Sequence, residues 1–557
     1  MLASAEADRF LTARGDLAGV QQRLLLESIV IPNARCAYGR DNHFAAVTDP
    51  DAFRRLVPLV DYEQLRPAVE RVARGEDGVL TVERPTTLFK TSGSLAAPKL
   101  VPVTPSLIRD KARAFGIFWH LIHRAHPTLK TGKWIANFGD AGRSERSAGG
   151  LDVASETTFW NRRMQGLQSW SGWPLPAVLR TLDNSDLRYF AVSRLAMASS
   201  LHGIMCLNPS TLLLLCRTME RHVPLLVRAI ADGALGYPGH VPSDVADQLR
   251  PYLQPDPVRA RRLERDLAGS TRLELTRVWP ELELVVCWQS QIVAPHLRQL
   301  EPYLAGVGRR DYITQASECI MAIPTADGAS GGQLAYTSHF FEFIPEASIE
   351  SPRPVTRFAW ELEAGRVYEL VVTTSGGLYR YRIGDCFRVK GFAGQVPVVE
   401  FLYRTGKTSS ITGEKLTEYQ VLEAARRAVG DGAVAPLEFL CFPRSGPDPH
   451  YGLLLSWPGG SASPEAAAPG RPLERWLARF DAQLMAINPE YGDKRSSGRL
   501  GSVVGLVVGE GGFDAYRREL AQTGVSEDQV KLGVLSRKLD LDAGLPVQRA
   551  IHARDGL

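Results

Sequence analysis

Near residue 271 the chain changes its hydrophobic period, and that change limits the folds open to it. Before this point the spacing is helical. Thr104-Pro105 supplies a cap and a first-turn proline, and Ile108, Ala112, Phe115, Trp119 and Ile122 then recur at three- and four-residue intervals. The spacing predicts one helix, packed on the body by that face. After it come short β-rich runs, "LELVVCW", "GQLAYTSHFFEFIP", "VYELVVTTS", "LYRYRIGDCFRVKGF" and "VPVVEFLYR", each bounded by Gly, Pro or Asp. Helices followed by such a series predict a mixed α/β body with a β-rich second half. A second boundary follows Tyr403, where the last run stops at the small-polar stretch "RTGKTSSITGEKL". Thr417 and Gln420 then form a capping-box pattern that starts a helix running to about Val429. Two strand-like runs, a low-complexity turn over 458–472, a helix with Trp476, Phe480, Leu484 and Ile487 on one face, a strand "SVVGLVV" and a last helix near 513–522 complete a small α+β unit. The expected division is 1–404, a hinge over 405–416, and 417–557.

At 557 residues the chain exceeds one ordinary core, which agrees with a large domain and a smaller one. Its 65 basic and 61 acidic residues balance to +4, and no basic run is interleaved with aromatics, which argues against a nucleic-acid partner. No apolar run reaches the ~18 residues of a membrane span, and no charged-then-apolar leader opens the chain; a cytoplasmic protein, monomeric and away from membranes, is expected. The seven cysteines lack CxxC spacing and read as reduced core residues. His202, His296 and His339 are isolated and read as structural.

The stretch "FKTSGSLAAPKLVPVT" (89–104) carries the first chemical signal. A turn with Ser92, Gly93 and Ser94 can present N–H groups and hydroxyls to phosphate oxygens, and Lys99 follows. Pro98 and Leu100 stand where a Walker loop needs Gly and Ser/Thr, so a P-loop is excluded. Alone, the stretch reads more readily as a simple surface turn. Three further stretches follow in order: "TQASEC" with Ser317 and Glu318, "GLYRYRIGD" ending on Asp385, and "YRTGKTSSITGEKLTE" with Arg404 and Lys415. That is the order expected of adenylate-forming enzymes: a Ser/Thr-Glu pair for Mg²⁺, an aspartate for the ribose hydroxyls, and an arginine before a hinge. Each element singly reads as a surface acid, a turn residue or a strand end.

Across most of its length the chain resembles a bacterial member of the Gretchen Hagen 3 acyl-acid amido synthetases, relatives of the firefly luciferase-like adenylating enzymes. "NARCAYGRDNHF" (33–44), "VPLVDYEQLRP" (57–67), "GLYRYRIGDCFRVKGF", "INPEYGDKR" (487–495) and "QVK" (529–531) carry the resemblance. It implies that 1–404 is an adenylating domain and that 417–557 is a mobile lid. It also implies that Ser92 and Ser94 contact phosphate, Glu318 the metal and Asp385 the ribose, while Arg404, Lys415 and Lys531 complete the nucleotide site and carry catalysis. The chain departs from the family where Leu95-Ala96 replace a common Thr-Gly, where Thr314 replaces an aromatic residue four before the glutamate, and where "QSQ" after Trp288 lacks glycine.

Lysine usage agrees with this. Eleven lysines stand against 54 arginines, yet Lys99, Lys407, Lys415 and Lys531 fall within the motif stretches. A compact ammonium on a flexible stem serves a moving phosphate. The expected reaction joins a small-molecule carboxylic acid to an amine or amino acid, using ATP and Mg²⁺ through an acyl adenylate. The resemblance places the acyl pocket between about 107 and 215, where Phe115, Trp119, Trp160 and Trp170 line a slot or fill a core. A thioester-forming ligase and a nucleotide-binding homologue that has lost catalysis remain open alternatives.

Overall fold

The computed structural model describes residues 2–90, 99–136, 145–164, 175–180, 182, 184–269, 272–290, 293–349, 351–405, 408–412, 414, 416–429, 435–445, 448–457, 472–509, 511–521, 533–542, 545 and 547–552. They form two compact units: Met1–Ser290 with Leu300–Phe401, and Gln291–Gln299 with Leu402–Leu557.

The first unit is the mixed α/β body that the change of period predicts. Strands Trp134–Ala136, Gly203–Met205, Leu284–Val286 and Gly308–Arg310 pair in that order, all parallel. Parallel neighbours need long crossovers, and the connecting segments hold helices such as Ser185–Ala198 and Pro209–Asp232. Covered on both faces, the sheet is apolar throughout its centre: Ile204, Leu284, Val285 and Val286 are fully buried. The β-rich second half forms a sheet with, among the described residues, the order Arg357–Phe358, Phe340–Pro345, Val367–Thr373, Tyr381–Ala393, Val396–Arg404, Gly332–Leu334, Ile320–Ile323, Thr314–Gln315. A third sheet sets Thr87–Lys90 antiparallel to Leu100–Val103 and parallel to Asp152–Ala154, so the stretch 91–98 joins two paired strand ends.

Helix Pro105–Ala125 locks these sheets together. Thr104 Oγ1 accepts a hydrogen bond from Leu107 N at 3.1 Å and donates to Ser375 O at 3.1 Å, while Ser375 Oγ donates to Asp110 Oδ2 at 2.6 Å. The helix is therefore capped and docked by the same residue. Its buried face is partly rotated from the expected one: Ile108 and Ile122 are buried as expected, but so are Leu107, Lys111, Ala114, Phe118 and Leu121, while Ala112 is exposed and Phe115 and Trp119 flank the core. The helix packs on more than one side, and an ion pair draws Lys111 inward.

The motif "GLYRYRIGD" is largely a tertiary fastener. Gly377 sits at φ +95°, and a Cβ there would meet Leu80 Cβ at 2.8 Å, so the turn requires glycine. Tyr379 donates its hydroxyl to Leu80 O at 2.7 Å. Arg380 adopts left-handed backbone at φ 46° and grips buried Glu342 through Nε at 2.8 Å and Nη2 at 2.9 Å, with Nη1 donating to Arg54 O and Val57 O. Arg382 pairs with Glu369 in the same forked manner.

The second unit is α+β. Its sheet runs Glu438–Arg444, His450–Ser456, Val504–Val508, Val547–His552, with the central pair parallel and the outer pairs antiparallel. Helices Glu418–Ala428 and Pro472–Ile487 cover it, the first with the expected capping box. The strand Val547–His552 was not expected. It is an edge strand whose burial alternates, but Arg549 falls on its inner side and Ala550 on its outer, so the sequence lacks an alternating apolar pattern. All seven cysteines are buried with free thiols. Among the described residues no helix is long and apolar enough to cross a membrane.

Candidate active site

The carboxyl ends of the parallel strands form one edge, where open α/β sheets take their ligands. There Cys206 N donates to Val286 O, Trp288 N to Leu207 O and Tyr312 N to Cys287 O, knitting the post-strand turns together. Asp311, directly after the last strand, accepts from Gln289 N at 2.9 Å and Gly331 N at 2.7 Å. Burial nonetheless pushes its carboxyl up to about 7, against those donated bonds and with Glu400 adding to the rise. Asp311 thus holds the backbone at Gln289, just after Trp288, and the chain beyond Asp311 leads into the acidic motif.

That motif is a tight hairpin. Ala316 N donates to Cys319 O at 2.9 Å and Cys319 N to Ala316 O at 3.2 Å, which leaves Ser317 and Glu318 as its two loop residues. Ser317 is half-buried and Glu318 is buried. Asp385, on strand Tyr381–Ala393, is also buried. Both carboxylates lie close enough to the Cys319 thiol to act on it. Burial drives that thiol well above its usual range; Lys111 opposes the rise, while Glu318, Asp385 and Glu156 add to it. Glu318 and Asp385, far apart in the chain, thus both act on the Cys319 thiol, as do a lysine and a second glutamate that sequence reasoning missed.

Lys111 is fully buried, and its Nζ donates to Glu156 Oε1 at 2.7 Å and to Ala316 O at 2.8 Å. Glu156 opens helix Glu156–Met164 and also accepts from Trp160 Nε1 at 3.2 Å. The Lys111 ammonium lies 5.8 Å from the centroid of Phe89, on the strand that leads into 91–98. The scarcity of lysine was the available signal: Lys111 lies on a helix legible in the sequence, but outside any motif.

The remaining candidates divide by location. Ser92, Gly93 and Ser94 lie outside the described residues, with Leu95 and Ala96. Lys99, just beyond them, is half-buried with Nζ 5.2 Å from the centroid of Tyr62, in the "VPLVDYEQLRP" stretch; Tyr62 also accepts Leu100 N at 2.7 Å. Thr314 begins the short strand before the hairpin. Arg404 ends strand Val396–Arg404 and is exposed. Lys407, Lys415 and Lys531 lie outside the described residues, and their surroundings belong to the second unit. There buried Glu414 accepts from Ile411 N, Thr412 N, Thr412 Oγ1 and Tyr451 Oη at 2.5–2.9 Å. Burial works to raise its carboxyl, but these bonds outweigh it and hold the group below its usual value. Asn488, from "INPEYGDKR", donates to Glu414 O at 2.9 Å, and Glu418 accepts from Val534 N at 2.9 Å.

Aromatic residues continue from the hairpin along helix Pro105–Ala125. Phe115 meets Trp160 at 6.1 Å and Tyr312 at 6.4 Å between centroids, Phe118 meets Tyr312 at 6.2 Å, and Trp119 meets Trp134 at 5.1 Å. Phe115, Trp119 and Trp160 thus belong to one cluster against the core; Trp170 lies outside the described residues.

The model of the GH3 family N-terminal domain matches residues 7–308, that of the central domain 332–404 and that of the C-terminal domain 419–540. The chain belongs to the GH3 family. Among curated relatives, the probable indole-3-acetic acid-amido synthetase GH3.1 of Oryza sativa subsp. japonica is 27% identical over 552 residues, covering 95% of this chain and 89% of the relative. The indole-3-acetic acid-amido synthetase GH3.6 of Arabidopsis thaliana is 25% identical over 436 residues, 73% of this chain and 71% of its own. The solved structure of the AtGH3.15 acyl acid amido synthetase in complex with 2,4-DB superposes with a TM-score of 0.86 at 23% identity, over 99% of this chain and 97% of that one. The fold is therefore the GH3 fold throughout, as the motif resemblance implies.

Proposed function

We propose that this GH3 family member is an ATP-dependent acyl-acid amido synthetase. A carboxylate oxygen of the acid attacks the α-phosphorus of ATP, and the bond to pyrophosphate breaks. An amine or amino acid nitrogen then attacks the acyl carbon, AMP departs with the bonding pair, and a proton is released. The observation that supports this reading is that the buried hairpin glutamate Glu318 and the buried strand aspartate Asp385 both act on the Cys319 thiol, in a chain with the GH3 fold. The work asked of the protein is positioning and charge stabilisation, without a covalent nucleophile.

In this reading Asp385 takes the ribose hydroxyls, while Ser92, Gly93, Ser94 and Lys99 receive phosphate oxygens, with Ser317 beside them. Arg404, Lys415 and Lys531 bring positive charge to the departing pyrophosphate, the last two from a lid domain over 417–557 that swings about 405–416. The donor set suits Mg²⁺. Among the described residues no cluster of three or more His, Cys, Asp or Glu is arranged to cage a metal. Mg²⁺ is commonly held by one or two carboxylates with substrate phosphates and water, which Glu318 can join. Bound there, the ion would neutralise phosphate charge. Magnesium, a cytoplasmic setting, a monomeric state and a bacterial source are parts of the proposal that rest on the sequence alone.

The aromatic cluster around Phe115, Trp160 and Tyr312 favours an apolar or aromatic acid. The test is acid-dependent ATP–pyrophosphate exchange over a panel that includes indole-3-acetate and benzoates, followed by AMP release with amino acids or coenzyme A. Exchange followed by amine-dependent AMP release is expected. Release with the thiol alone would make the chain a thioester-forming ligase, and ATP binding without exchange would make it a nucleotide-binding homologue.

A further inference from the structure

The Ser317–Glu318 hairpin has a loop that its strands do not favour. Two-residue hairpin loops match the strand twist when at least one central residue takes positive φ. Among the described residues the non-glycine positions with positive φ are His43, Arg380 and Asp540, so neither Ser317 nor Glu318 takes it. The ladder beyond the loop is also irregular, because the register shifts between Ile320 and Ala322. Two buried side chains from other elements bond the hairpin backbone. Lys111 Nζ donates to Ala316 O, the carbonyl that also closes the turn by accepting Cys319 N. His339 Nε2 accepts from Ile320 N at 3.2 Å, meeting the amide at the shifted register. Burial, with Lys111 and Arg113 nearby, pushes His339 down to about 3, so its ring stays neutral and able to accept that bond. Trp160 holds Glu156, and Glu156 in turn holds Lys111.

We infer that Lys111 and His339 are positioning residues for Glu318: by bonding the backbone before and after it, they hold an intrinsically disfavoured hairpin loop in the one arrangement that presents its glutamate to the metal–nucleotide complex. The inference rests on the proposed role of Glu318. It explains a fully buried lysine whose ammonium bonds backbone instead of facing ligand. It also gives a task to a histidine with no part in acid–base chemistry.

The test uses the full chain in two forms. Lys111→Met with Glu156→Gln removes the ammonium without leaving a buried uncompensated carboxylate, which the single change would do. His339→Phe removes the acceptor of the Ile320 amide without altering charge and keeps a ring against Phe341. Two readouts are taken: exchange of the Cys319 and Ile320 amides in the protein alone, and ATP affinity by calorimetry in EDTA and in Mg²⁺. Expected is amide exchange faster by about tenfold or more in both variants. ATP affinity in EDTA should stay within about threefold of wild type, while its tightening by Mg²⁺ falls by about tenfold. Faster amide exchange with full Mg²⁺ tightening would overturn the positioning role. Lost tightening with unchanged amide exchange would do the same, because Lys111 would then act through its charge alone. A wild-type chain that binds no ATP in either condition would instead overturn the proposed function.

Discussion

Arg380 shows how much of a motif can be architecture. Its left-handed backbone persists because Arg380 N donates to Thr373 Oγ1 while the guanidinium is bound by Glu342, Thr356 and two carbonyls. Arg380→Met leaves Glu342 buried and unpaired and should destabilise the fold by about 3–5 kcal/mol, read as a lowered urea midpoint. Asp385, five residues on, should behave oppositely. Asp385→Asn and Glu318→Gln are expected to abolish acid-dependent exchange while leaving that midpoint nearly unchanged; normal turnover in both would withdraw the assignment. Asp311 gives a pH signature. Its carboxyl, raised by burial to about 7, holds its proton more tightly folded than unfolded. The folded state therefore binds more protons between about pH 4 and pH 7, and stability falls as pH rises through that window, by ~1.4 kcal/mol per unit at most. Melting curves of Asp311→Asn should show a flatter dependence than wild type over that range; parallel curves would mean that Asp311 ionises normally.

Among the elements, helix Pro105–Ala125 matters most, because its cap is shared. Thr104 satisfies the first turn and also fastens Ser375, at the end of the loop that introduces "GLYRYRIGD". Thr104→Ala removes both bonds from a fully buried position and should cost about 2 kcal/mol, whereas Thr104→Ser should restore most of it. Equal midpoints for Ala and wild type would show that the cap does not hold the helix. The helix existed plainly in the sequence, as a proline-started run of apolar residues. Its rotation did not, because Lys111 belongs to the buried face only once Glu156 stands beside it. The strand Val547–His552 was illegible for a related reason: on this edge strand Arg549 stands on the inner side and Ala550 on the outer, so residue type does not follow the burial period.

At the scale of the molecule, the second unit has its own core and its own polar centre at Glu414, and the proposed reaction asks a lysine from this unit to act during pyrophosphate departure. A contact made only in the transition state appears in the rate constant more than in binding. Lys531→Ala is therefore expected to lower exchange by about 100-fold while ATP binding falls much less, and the variant should still pass a supplied acyl adenylate to the amine. Equal loss in both halves would give Lys531 a different task. The sequence by itself determined the family, the α/β body followed by an α+β unit, the longer strands after residue 271 other than the last, and the chain order of the motifs. These are properties of local period and of short motifs, which a linear string carries whole. Only the tertiary structure decided that Glu318 stands on a two-residue hairpin, that it and Asp385 both act on the Cys319 thiol, and that Lys111 and His339 bond the backbone of Ala316 and Ile320. Those relations join residues from separate elements, and a buried ammonium is tolerated only where folding has already supplied its carboxylate and carbonyl partners.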